Sequence, residues 1–152
     1  MKLFPSLLAF LSICSPVLAN EIILPNRDLS PREVIEIQLT ALQTNSAKKP
    51  NAGIQQTWAF AHPNNRAVTG PIERFAKMLK NKNYRSLLGH KEYKIRKVVM
   101  APKIANFHIV IVSSDNLKLS FDWRLQKVEE GDFIGSWMTT SVSPPKRAAD
   151  AI

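Results

Sequence analysis

Residues 117–126 read Leu117-Lys118-Leu119-Ser120-Phe121-Asp122-Trp123-Arg124-Leu125-Gln126. Apolar side chains take every odd position and polar ones every even position. Successive side chains of an extended chain point to opposite faces, so the stretch predicts a strand with one buried and one wet face. A half-wet strand belongs in an antiparallel sheet, because parallel sheets are covered on both sides.

Working outward, Phe107 to Val112 is a near-continuous apolar run suited to a central strand, and Ser113-Ser114-Asp115-Asn116 is a turn joining it to 117–126. Tyr93 to Met100 is rich in β-branched residues and predicts another strand. Glu129-Glu130-Gly131-Asp132 predicts a turn, Phe133 to Val142 the last strand, and 144–152 a disordered tail opened by Pro144-Pro145. Upstream the period is helical. Ser30-Pro31-Arg32-Glu33 is a helix start, with Ser30 and Glu33 able to cap each other's amides and Pro31 in the first turn. Val34, Ile37, Ala41 and Leu42 continue it as one stripe to about Thr44. A second helix fits Ala52 to Ala61, closed by His62-Pro63. Asn64-Asn65-Arg66 reads as a turn, and a third helix begins near Thr69-Gly70-Pro71, burying Ile72, Phe75, Met78 and Leu79. Three helices followed by about four strands predict an α+β domain over 30–143, with the helices on one face of a curved antiparallel sheet and 20–29 as a polar lead-in.

Residues 1–19 stand apart. Met1-Lys2 precedes an apolar stretch, Ser15-Pro16 breaks it, and Val17-Leu18-Ala19 offers small residues for cleavage after Ala19. This predicts an export signal and a secreted or periplasmic protein, or one in an organelle lumen. The stretch is too short and broken for a comfortable membrane span, which takes about 20 apolar residues. A lipoprotein acylated at Cys14 is the other reading, and Ile13 is a poor neighbour for it. Cys14 is the only cysteine, so a chain cut after Ala19 has no disulfide, thiol nucleophile or cysteine metal site.

The whole chain carries a net charge of +9, and the excess is one block. From Glu73 to Lys103, Arg74, Lys77, Lys80, Lys82, Arg85, Lys91, Lys94, Arg96, Lys97 and Lys103 are opposed only by Glu73 and Glu92. Such a block serves either as a solubilising face or as an attraction for an anionic surface. Export and the scarcity of interleaved aromatics argue against nucleic acid.

Catalytic spacing is absent. His62, His90 and His108 stand in no metal-ligand spacing, the five glycines are scattered singly, and Ser136 lacks the second glycine of a nucleophile elbow. No metal or cofactor is expected. Strand parity places Asp122 and Arg124 opposite the Trp123 face, and His108 can share that side. His108 and Asp122 are the catalytic candidates, set against Asp122 and Arg124 as an exposed cross-strand ion pair. Trp58, Phe75, Trp123 and Trp137 are the candidates for a ligand pocket, set against a plain aromatic core. Arg66, Arg74 and Lys77 are candidates for holding an anion near the Thr69-Gly70-Pro71 turn; the two arginines are alternatively ties to Glu73 or Asp122.

Several motifs carry a resemblance: His62-Pro63-Asn64-Asn65-Arg66, Thr69-Gly70-Pro71, Arg74-Phe75, Ser30-Pro31-Arg32-Glu33, Trp123-Arg124-Leu125 and Gly135 to Val142. Over about Leu29 to Pro144 the chain resembles the family called domain of unknown function 4864. That family is similar to the nuclear-transport-factor-two-like, or cystatin-like, superfamily. The resemblance implies a cone, in which a curved sheet wraps a helix and often leaves an apolar pocket. It implies no particular chemistry, since that superfamily holds isomerases, dehydratases and plain binders. The leading expectation is a non-enzymatic module binding a small molecule or a partner. The alternatives are a small isomerase or dehydratase with a pocket carboxylate or histidine, and an adaptor that dimerises through its sheet and meets an anionic surface.

Overall fold

The computed structural model describes residues 21–45 and 50–148. The export signal expected over 1–19, Cys14 and the last residues of the tail lie outside them. Among the described residues no helix is long and apolar enough to cross a membrane.

Helix α1 (Pro31–Thr44) starts as its sequence requires. Ser30 Oγ accepts the Glu33 amide at 3.2 Å, and Glu33 Oε2 accepts the Ser30 amide at 2.7 Å. Its fully buried side keeps Val34 and Leu42 of the expected stripe but turns away from the other two: Val34, Ile35, Gln38, Leu39 and Leu42 are enclosed, whereas Ile37 and Ala41 are only half-buried. The shift follows from α1 packing on the sheet and on α2 (Ala52–Ala59) at once. Gly53 lets α2 approach that closely, because a Cβ there would collide with the Ala41 carbonyl oxygen.

Among the described residues four helices precede the sheet, not three. The expected turn at Asn64-Asn65-Arg66 lies inside α3 (Pro63–Thr69), and the next helix is α4 (Ile72–Lys80). Helix α2 ends at Ala59, short of the expected Ala61, and the proline expected to close it instead starts α3: its fixed backbone suits a first helical turn, and His62 Nδ1 accepts the Asn64 amide as the cap. The chain between α2 and α3 is drawn to the sheet instead of continuing the helix. Thr139 donates its amide to Phe60 O, and His62 donates its own to Thr139 O.

A 3-10 turn (Arg85–Leu87) leads into β1 (Glu92–Met100), β2 (Ile104–Val112), β3 (Lys118–Lys127) and β4 (Trp137–Val142). They form an antiparallel sheet in the order β1-β2-β3-β4, with a bulge near Arg96. The last strand begins at Trp137 and not Phe133, because Gly131 and Gly135 adopt φ values of +85° and +84° and bend that segment into turns. The tail expected to be disordered from 144 is not so in its described part. Lys146–Arg147 forms β5, paired with β3 at Leu119 and Ser120. Pro144-Pro145 ends β4 but leaves the following amides free to pair. The alternation of β3 is realised: Phe121, Trp123 and Leu125 are buried, Asp122 and Arg124 exposed. With Phe107, Ile109 and Ile111 of β2 they meet α1, Ile54, Phe75 and Leu79 in one core.

Candidate functional site

A buried polar chain crosses the core where helices and sheet diverge. Trp123 Nε1 donates to Thr139 Oγ1 at 3.0 Å, Thr139 Oγ1 donates to Gln38 Oε1 at 2.6 Å, and Gln38 Nε2 donates to Thr57 O at 3.1 Å. It ties β3, β4, α1 and α2 together, and Gln38 and Thr139 are both almost wholly enclosed. Beside this chain opens a cavity of about 270 Å³. Its apolar lining comes from Leu42, Phe75, Leu79, Leu87 and Trp123, and its rim from Val68 of α3, Tyr84 and Ser141.

The cavity is neutral. Its lining contains no carboxylate, histidine, lysine, arginine or cysteine. Tyr84 is its one titratable side chain; burial pushes the phenol up from 10.0, and its hydroxyl donates to Val142 O at 3.1 Å. Asn65 Nδ2 donates to Thr139 O and Thr69 Oγ1 to Asn65 O. The polar groups are largely bonded to one another, so the site offers shape and apolar area ahead of hydrogen bonds.

Of the four aromatic candidates, Phe75 and Trp123 line the cavity. Trp58 lies behind Phe75, ring centroids 5.1 Å apart, and Trp137 is buried with the Lys127 ammonium 5.3 Å from its ring centre; neither lines it. Leu42 and Leu79, expected only on the buried stripes of their helices, and Thr139 line it as well. The signal for Leu79 was its place on the α4 stripe; nothing local marked Thr139.

His108 and Asp122 are brought together, but on the other face of the sheet. They are register partners, with Nδ1 and Oδ1 2.8 Å apart and side chains 40% and 59% exposed. The carboxylate can only accept here, so Nδ1 carries the proton. That hydrogen bond is the main reason the Asp122 carboxyl lies below its usual range, with the nearby Lys146 ammonium adding to it. The isomerase-type reading needs a base in a dry pocket, where burial lifts a carboxyl pKa. Asp122 is wet and shifted the opposite way. The expected Asp122–Arg124 pair does not form either: they are same-face neighbours on one strand, and the register sets Arg124 across from Asn106 and Ser141.

Arg66 and Arg74 contact carbonyls, not Glu73 or Asp122. Arg66 Nη2 donates to Trp58 O at 2.9 Å and Ala59 O at 3.0 Å while its guanidinium lies over the Trp58 ring, closing the end of α2. Arg74 Nη2 donates to Val68 O at 2.8 Å, closing the end of α3. Cations suit these positions because helix C-terminal carbonyls are unpaired and carry partial negative charge. Lys77 is exposed on α4. Among the described residues no three metal-ligating side chains converge.

The family model described as a domain of unknown function, DUF4864, matches residues 26–148. No curated protein matches the chain. Among solved structures, the crystal structure of an NTF2-like protein of unknown function from Methylobacillus flagellatus KT is similar, with 14% identity and a TM-score of 0.50. The match covers 78% of this chain and 94% of that one, a likeness of fold alone. The helices, the antiparallel sheet and the match across nearly all of the described residues lead to one assignment: the chain belongs to the DUF4864 family and has the NTF2-like fold.

Proposed function

We propose that this is an exported, non-enzymatic binding module that holds a small, uncharged, mainly apolar molecule in the cavity between α1, α3, α4 and the sheet. The observation that carries this reading is the cavity's lining: apolar walls, internally bonded polar groups, and no group that would hold or relay a charge. Apolar pockets with few polar groups are the usual form of small-molecule sites. The volume bounds the occupant. A cavity of about 150 Å³ takes benzene, so 270 Å³ suits a compact molecule roughly twice that size. A carboxylate or phosphate would enter without a counter-charge, at a cost of several kcal/mol.

The test is a titration with 1-naphthylamine, a neutral apolar fluorophore of about twice the size of benzene whose emission shifts to the blue in dry surroundings. Saturable 1:1 binding is expected for the full chain. Val142→Trp, which places an indole at the rim, should abolish it while leaving the circular dichroism spectrum unchanged. A folded parent chain with no saturable signal would overturn the reading, as would undiminished binding by the Val142→Trp variant.

A further inference from the structure

The two-residue strand β5 divides its cations between the faces of the sheet. Lys146 reaches Asp122 on the outer face, Nζ to Oδ2 3.7 Å. Arg147, paired opposite Leu119, lies at a separate depression of about 420 Å³. Lys82 and Arg85, from within the basic block, line the same depression. Two segments distant in sequence thus deliver three cations to one place. Among the described residues none of the three makes an ion pair or hydrogen bond through its side chain.

One carboxylate lies there, and it is already committed. Asp115 is held below its usual range first by a hydrogen bond with Ser113, then by its own backbone, with Arg85 and Lys91 adding attraction. Three cations against one carboxylate leave two positive charges in excess. One hydroxyl completes the lining, that of Ser114; the Ser86 oxygen is shut from solvent and lies out of a ligand's reach.

We infer that Lys82, Arg85 and Arg147, with Ser114, form a binding site for a phosphate group carried on a larger molecule. Two guanidinium forks, an ammonium and a hydroxyl offer more donors than the two oxygens of a carboxylate accept. A phosphate monoester has three free oxygens and nearly two negative charges, which match both the donors and the excess charge. The depression exceeds what inorganic phosphate alone would fill, so there is room for the group the phosphate is attached to. The site shares no lining residue with the neutral cavity, so it stands or falls independently of the proposed function.

Glycerol 3-phosphate and vesicles containing phosphatidic acid probe the two sources of such a group. Calorimetry with the first and co-sedimentation with the second are run on the full chain at low salt. Saturable binding in either arm is expected, and the arm that responds names the source. The Arg85→Gln/Arg147→Gln variant should bind at least about tenfold more weakly, because it removes the charge-assisted hydrogen bonds of both guanidinium groups. Lys94→Gln/Arg96→Gln removes equal charge from the block at exposed positions outside the depression and should bind as the parent does. Thermal melts establish that both variants are folded. Absence of binding in both arms overturns the inference, as does an equal loss in the two variants, which would mean diffuse attraction to the whole block.

Discussion

Thr139 shows what a single residue contributes to this structure. Its hydroxyl accepts from Trp123 Nε1 and donates to Gln38 Oε1, and its backbone pairs with Phe60, His62 and Asn65. Thr139→Val keeps the shape and removes the oxygen. It leaves the indole N–H and the Gln38 carbonyl without partners in the core, at about 1–3 kcal/mol for each orphan. Urea denaturation should show that loss, while Ser141→Ala on the exposed face of the same strand should stay within about 0.5 kcal/mol of the parent. Trp123 was legible from the alternation of β3, but Gln38 and Thr139 are 101 residues apart and become partners only when α1 lies across β4.

At the scale of elements, local chemistry set the starts and tertiary contacts set the ends. Ser30, Pro31 and Glu33 fix the first turn of α1 within four residues, and that start was legible. Ser30→Ala should lower stability by about 1 kcal/mol, since the lost cap leaves amides of the first turn unpaired; thermal denaturation would measure it. The end of α2 was not legible. The helix stops at Ala59, where β4 takes over the hydrogen bonds of the residues that follow and Arg66 from α3 covers the last carbonyls. For the same reason α3 read as a turn: its seven residues contain none that is buried, so no apolar stripe announces it. It nevertheless supplies the cavity's rim through Val68.

The whole molecule has a predictable response to acid. His62 and His90 are nearly enclosed, at 6% and 1% exposure. Burial lowers both pKa values from 6.5, outweighing the opposing pull of the Lys127 and Leu87 carbonyls respectively. Each is therefore more easily protonated unfolded than folded. Above pH 6.5 both states are largely neutral and the full stability is present; as pH falls below 6.5 the unfolded chain takes up protons first, and stability declines. Urea midpoints should drop between about pH 7.5 and about pH 5, above the range where carboxylates titrate. His90→Gln, which can still donate to Leu87 O, should flatten that slope. An unchanged slope in the variant would assign the effect elsewhere.

The sequence by itself determined the α+β order, the inward face of β3, the capped start of α1 and the confinement of charge to one block. Each of these is a local pattern of spacing or composition, and spacing survives without knowledge of neighbours. Only the tertiary structure decided that His108 and Asp122 meet in water instead of inside the cone, that Trp58 and Trp137 stand away from the cavity, and that Arg147 joins Lys82 and Arg85. Those outcomes depend on strand register and on which helix covers which end of the sheet. Both are settled by packing between segments far apart in the chain, which no local period records.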